Sequence, residues 1–269
     1  MAVAWTDDQL RQAATQLQRQ HRQGEGFDGL KQPAPLPDAH TAYAVQAAFV
    51  ELQCAALSTV CAGYKIALTT AAMQTMVGYG DSISGRLLGA QVQRGPCALR
   101  AQDYRRLALE FEIAFVMADD LPTAGVPWDR RIADHVLQAL PAMEVVDDRR
   151  ANYSTLSQHI LTLIADNAWN AGLVLGEPLA GIDLQRLDEI TGVALIDGQE
   201  VGRGSGSDVL GHPLDALAWL ANHLQARGQG LRKGDIITTG SLVKTQFPSS
   251  PSEVSWRLSG AQPLRVSVV

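Results

Sequence analysis

Two glutamates, Glu110 and Glu112, stand inside Leu107–Val116, a run that otherwise reads as a buried strand. Side chains alternate faces along a strand. Leu107, Leu109, Phe111, Ile113 and Phe115 therefore share one face, and Ala108, Glu110, Glu112, Ala114 and Val116 the other. The two carboxylates point the same way, with Cα atoms about 7 Å apart, and small residues flank them. Two anions buried together without partners would cost several kcal/mol each. A divalent cation offsets that cost best; a wet face on an edge strand is the other reading. A third carboxylate, Glu144, is the only charge in Leu140–Asp147 before Asp147 itself. Three carboxylates with no adjacent His or Cys favour a hard, oxygen-seeking ion, Mg²⁺ or Mn²⁺ rather than zinc. Such a site leaves coordination positions for water or substrate.

Lys65 is the one charge in the strand-like run Ala62–Thr70. It either snorkels to the surface or serves chemistry with a depressed pKa, and its own surroundings favour snorkelling. Asp166-Asn167 is a polar pair in an apolar frame, which reads as a turn or a helix cap. Arg149 pairs internally with Asp147 or Asp148, or holds a carboxylate bidentately. His159 is a structural hydrogen-bonder or a catalytic base. His21, His40, His135 and His223 read as surface residues, and His212, before Pro213, as a helix cap. Gly202-Arg-Gly-Ser-Gly206 has Ser207 where a dinucleotide-binding motif needs its third glycine, and it opens no helix.

These residues need a scaffold, and the 269-residue chain is long enough to bury a full core. A helix opens at the capping box Thr6–Gln9 and runs to about His21; a second, capped by Asp38, runs to about Ser58. The glycines and prolines between Arg22 and Pro37 make a loop. Residues 1–60 thus form a helical N-terminal part, and residues 61–269 a β-rich domain. In the latter, Asp197-Gly198 marks a hairpin, Pro213 opens a helix, and Asp235–Ser241 returns to strand. The fold class is α+β, helices around a mixed, mostly antiparallel sheet system. A net charge of −6 argues against a nucleic-acid partner. No segment approaches the length of a membrane span and no signal peptide is evident. Cys54, Cys61 and Cys97 have no metal-like spacing and fit a reducing, cytoplasmic compartment.

Several segments together resemble the 2-keto-4-pentenoate hydratase and 4-oxalocrotonate decarboxylase group of the fumarylacetoacetate hydrolase superfamily. They are Gly63–Thr69, Leu109–Phe115, Pro141–Val146, Ile164–Ala168, Gly202–Gly204, Leu210–Leu214, Ala218–Ala221 and Gly234–Ser241. The resemblance runs from about residue 40 to the C-terminus. It implies a mixed β-roll core, a metal on Glu110, Glu112 and Glu144, a functional role for Lys65, and a homo-oligomer. Arg149, Asp166 and Ser241 become candidates for binding substrate. The group's hydratases carry an Asp-aromatic-Gly motif after the lysine segment. Here the stretch is Gly80-Asp-Ser-Ile-Ser-Gly85, with Ile83 at the aspartate's place and Asp81 two residues earlier as the candidate substitute.

The expected substrate is a 2-oxo acid from aromatic-ring catabolism, activated through its enolate. Hydration comes first. Hydrolysis of an acylpyruvate such as maleylpyruvate or fumarylpyruvate is second, and decarboxylation of the 4-oxalocrotonate kind third. Asp81 and His159 are the candidates for activating water, beside Lys65. A metal-stabilised oligomeric binding protein would explain the carboxylates but not the lysine.

Overall fold

A computed structural model describes residues 5–31 and 33–269. Residues 1–4 and 32, which belong to the expected helical part and its loop, lie outside the described residues. Two helices open the chain, α1 (Asp7–Arg22) and α2 (Ala39–Leu57). Thr6 and Gln9 form the expected capping box, Asp38 caps α2, and Ser58 ends α2 in the left-handed conformation. The rest of the chain adds three helices, α3 (Ala71–Val77), α4 (Ile160–Ala165) and α5 (Pro213–Gln225). His212 caps α5 through Nδ1, as its position before Pro213 predicts.

The first seven strands in chain order are β1 (Cys61–Ala67), β2 (Ile83–Leu88), β3 (Val92–Arg94), β4 (Cys97–Leu99), β5 (Leu107–Met117), β6 (Val136–Asp147) and β7 (Asn170–Leu175). Five more follow: β8 (Thr191–Ile196), β9 (Gln199–Ser205), β10 (Ile236–Thr238), β11 (Ser252–Leu258) and β12 (Leu264–Val268). One sheet has the order β2-β1-β10-β5-β6-β7-β3 and the other β4-β12-β11-β8-β9. Pairing is mixed and mostly antiparallel: among the described residues only β1 with β10, β3 with β7 and β4 with β12 run parallel. Asp197 and Gly198 take φ of 50° and 79°, the positive values that a tight two-residue hairpin turn requires.

The larger sheet curls on itself. Its edge strand β2 comes against β7, five places away in the strand order. Among the described residues no eighth strand seals the seam. Instead the Asn167 side chain accepts from the Arg86 N–H at 2.6 Å and donates to the Arg86 carbonyl at 2.9 Å.

The alternation along β5 sorts the roll's two faces. Leu107, Leu109, Phe111, Ile113 and Phe115 lie in one core with Trp256 of the smaller sheet and with α5. Trp256 joins the sheets: its ring lies 5.5 Å from Phe111, its indole donates to the Glu112 carbonyl, and Gly192 leaves room for it. On the inner face, Ala108 and Val146 pack with α1, α2, α4 and Ile83, whereas Ala114 and Ala142 pack with Leu87, Leu173 and Leu175. A belt is left between these two apolar clusters. Along β5 it holds Glu110 and Glu112, on β6 Glu144, on β1 Lys65, and on β2 Gly85.

Candidate metal centre

Glu110 and Glu144 face each other across β5 and β6, and Glu112 is two residues further along. One carboxylate oxygen from each lies within 4.8 Å of the others. Glu112 and Glu144 are fully buried. Each carboxylate is held from behind by a donor. The Gly240 N–H donates to Glu112 Oε2 at 2.7 Å, Asn170 Nδ2 to Glu144 Oε1 at 3.0 Å, and the Thr245 hydroxyl to Glu110 Oε1 at 2.7 Å. Among the described residues, the buried Glu112 Oε1 and Glu144 Oε2 have no hydrogen-bond partner.

Lys65 does not snorkel. Its side chain is 2% exposed and Nζ lies 3.1 Å from Glu144 Oε1. β1 and β6 are three places apart in the sheet, about 14 Å if it were flat, so the curl is what brings them together. Gly85 faces Lys65 across β1 and β2, and a Cβ there would stand 2.8 Å from the Asn167 carbonyl and 3.1 Å from Lys65 Cγ.

Burial opposes charge on Lys65, but Glu144, Glu110 and Glu112 outweigh it and raise the pKa, holding the ammonium protonated. Burial, then Glu144 and Glu110, drive the Glu112 carboxyl well above the usual range. Burial also raises Glu144, with Lys65 pulling the other way. Three carboxylates and one ammonium carry −2 when ionised, the charge one divalent cation cancels. Two buried oxygens without donors, an all-oxygen donor set and that charge together fit a hard divalent cation.

The other candidates lie elsewhere. The Arg149 guanidinium pairs with neither Asp147 nor Asp148, although the Arg149 backbone N–H donates to Asp147 at 3.0 Å. Residues 149 and 150 take φ of 47° and 59°, which turns the Arg149 side chain inward onto Asp166. Asp148 is taken by Arg106 and by the Tyr153 hydroxyl at 3.0 Å, and Asp147 accepts from the Arg105 and Arg106 N–H groups. Asp166 is no simple turn or cap residue. It is fully buried and also bonds His21 Nε2 at 2.5 Å, so His21 is not a free surface residue. Burial pushes the Asp166 carboxyl up, but His21 and Arg149 prevail and lower it. Ser241 spends its hydroxyl on the backbone, donating to Val243 O and accepting from Phe111 N–H. His159 lies beside the N-terminal loop, 3.9 Å from Asp28 and packed on Gly29. Asp81 is exposed and accepts from the Trp219 indole at 2.9 Å. Ile83 is fully buried. His223 is not a surface residue either: it stacks on Trp219 at 4.7 Å, and burial followed by the Arg227 charge lowers its pKa to about 3.

Asn170 and Thr245 were not legible as parts of this centre. Asn170 had a faint signal, being the third polar residue in the apolar frame around Asp166-Asn167; Thr245 had none.

Residues 66–269 match the fumarylacetoacetate (FAA) hydrolase C-terminal family. The chain belongs to the fumarylacetoacetate hydrolase family. Among its relatives in that family is a 2-keto-4-pentenoate hydratase of Paraburkholderia phymatum, 32% identical over 240 residues that cover 88% of each chain. A 2-oxo-hept-4-ene-1,7-dioate hydratase of Escherichia coli is 30% identical, covering 86% of this chain and 87% of that one. The fold matches 4-oxalocrotonate decarboxylase from Pseudomonas putida G7, solved with magnesium and adipate, with a TM-score of 0.87, 23% identity and 99% of each chain covered. No helix among the described residues is long and apolar enough to cross a membrane.

Proposed function

We propose that this member of the family is a divalent-metal-dependent hydratase of 2-oxo-4-enoic acids in aromatic-compound catabolism. The observation that carries the reading is the buried belt of Glu110, Glu112, Glu144 and Lys65, with two carboxylate oxygens left without donors. The relatives' hydratase names choose among the reactions such a site supports.

In this reading Glu110, Glu112 and Glu144 hold Mg²⁺ or Mn²⁺. The ion supplies Lewis-acid stabilisation of negative charge on the substrate's 2-oxo oxygen as the enol forms. The protein's residues do the rest. Lys65, kept cationic by its carboxylate neighbours, attracts the substrate carboxylate and moves a proton at Nζ. Leu87, Ala114, Ala142, Leu173 and Leu175 close the belt on one side and keep water from it. We read the substrate chain as extending toward the helical side, where α1, α2 and α4 pack on Ala108, Val146 and Ile83. In the assembled enzyme we read the chain as a cytoplasmic homo-oligomer.

A second reading, hydrolysis of an acylpyruvate, is favoured by one observation. β2 carries an apolar, fully buried Ile83 and no acid, and Asp81, two residues before it, is exposed and engaged by Trp219. A product assay with Mg²⁺ or Mn²⁺ on a panel of 2-oxo-4-enoates and acylpyruvates tests both. Formation of 4-hydroxy-2-oxo acids supports the first, pyruvate release from acylpyruvates the second. Turnover of neither would overturn the functional reading.

A further inference from the structure

On the helical side of the belt, buried donors without acceptors cluster around one aromatic ring. Arg149 is 1% exposed; Nη2 engages Asp166, while Nε and Nη1 have no partner among the described residues. Its guanidinium carbon lies 5.6 Å from the Phe27 ring centre. The Trp169 ring stands perpendicular to the same Phe27 at 5.0 Å, and its buried Nε1 also has no partner. Tyr153 packs on Trp169 from 6.0 Å. Buried N–H groups are nearly always paired, and each orphan costs about 1–3 kcal/mol. Three such nitrogens in one neighbourhood point to a missing acceptor.

The neighbourhood is tied to the metal centre. Trp169 directly precedes Asn170, whose amide donates to Glu144. Asn167, Ala168 and Trp169 take φ of 54°, 48° and 60° in succession, a costly conformation for residues with side chains. Strain of this kind concentrates where a chain must hold a ligand-facing group in one place. The opposite side of the belt is lined by Leu87, Ala114, Ala142, Leu173 and Leu175, which offer no side-chain donor, whereas the helical side carries Phe27, Tyr153 and Trp169.

We propose that Arg149 and the Trp169 indole N–H form a second anion-binding position, so that the chain takes 2-oxo acids bearing a second carboxylate at the far end. This rests on the metal-dependent 2-oxo acid reading above. An acceptor there is charged rather than neutral because a guanidinium with two open nitrogens pairs best with a carboxylate.

The test uses the full chain loaded with Mg²⁺ and two inert six-carbon probes, adipate and hexanoate, titrated by calorimetry. The wild type should bind adipate at least about tenfold more tightly, the least that one charge-assisted hydrogen bond supplies. In Trp169→Phe and Arg149→Lys that preference should shrink to about threefold or less, with hexanoate affinity unchanged. Equal binding of both probes by the wild type, or a parallel loss of both in the variants, would overturn the proposal, the latter marking a structural role. Trp169→Phe keeps the test open if Arg149→Lys does not fold. Turnover of monocarboxylic and dicarboxylic 2-oxo-4-enoates, run alongside, separates the two ideas. Turnover of both classes at equal kcat/KM with no adipate preference sinks the subsite and leaves the function. An adipate preference without turnover of either class sinks the function and leaves the subsite.

Discussion

Replacing Glu112 with glutamine should make the metal-free protein more stable and the metal-supplemented protein less responsive. Glu112 is fully buried; Gly240 N–H satisfies one oxygen and nothing satisfies the other. The substitution keeps the shape and the Gly240 bond when the amide oxygen faces Gly240. Its NH₂ then replaces the orphaned oxygen that repels Glu144 and Glu110. Pairing a buried group that lacked a partner returns about 1–3 kcal/mol, or roughly 2–10 °C in Tm for a chain of this size. Divalent ion at a hundred times its Kd adds about 2.7 kcal/mol to the wild type, a rise of roughly 5–10 °C. The variant should lose most of that second rise, because one of three ligand oxygens has become a donor. Thermal unfolding with chelator and then with Mg²⁺ or Mn²⁺, alongside metal content by elemental analysis, reads both quantities. An undiminished metal-dependent rise with unchanged stoichiometry in Glu112→Gln would refute the three-carboxylate centre.

Lys65→Met keeps the apolar stem and removes the ammonium 3.1 Å from Glu144. A fall in kcat of about 10²-fold or more with metal content retained is expected, and near-normal steady-state kinetics would remove Lys65 from the chemistry. Loss of hydration in Asp81→Asn would assign the water-activating role to Asp81, and loss of pyruvate release in His159→Ala, with Asp81→Asn active, would assign it to His159; full activity of both variants would assign it to neither. His223 ionises in the folded chain only near pH 3, against about 6.5 in the unfolded chain. Its contribution to stability is thus fully present above about pH 6.5 and fades as the pH falls toward 3, by up to about 1.4 kcal/mol per pH unit. Denaturant unfolding across that range should show a flatter curve for His223→Gln, and superposable curves would refute the assignment.

Much of the scaffold was legible because it rests on local rules. The period-2 alternation of β5 placed Glu110 and Glu112 on one face, and capping chemistry at Thr6, Asp38 and His212 located three helix starts. The hairpin at Asp197-Gly198 followed from two residues that tolerate positive φ. Contacts made across the chain were not legible. Lys65 reads as a snorkelling lysine until the sheet's curl brings β1 to β6. The partner of Arg149 is Asp166 and not the adjacent aspartates, because a left-handed backbone at 149 and 150 redirects the side chain. His21 and Asp166 are 145 residues apart, and nothing near either one announces the pair. Strand β11 alternates buried and exposed residues around Trp256, a readable pattern, but its partner sheet is decided only by packing against Phe111.

The Asn167 amide on the Arg86 backbone has a consequence for how copies of this chain meet one another. An uncovered edge strand is a template for any other extended chain, and proteins usually blunt it with charge, proline or a covering element. Here one side chain spends both its donor and its acceptor on the unpaired rim of β2, occupying the rung on which a foreign strand would start to zip. A single amide thereby guards against edge-to-edge aggregation while leaving the curled sheet unclosed. Substitution of that amide would be felt first as a loss of colloidal behaviour during folding, before the mature enzyme registers any change.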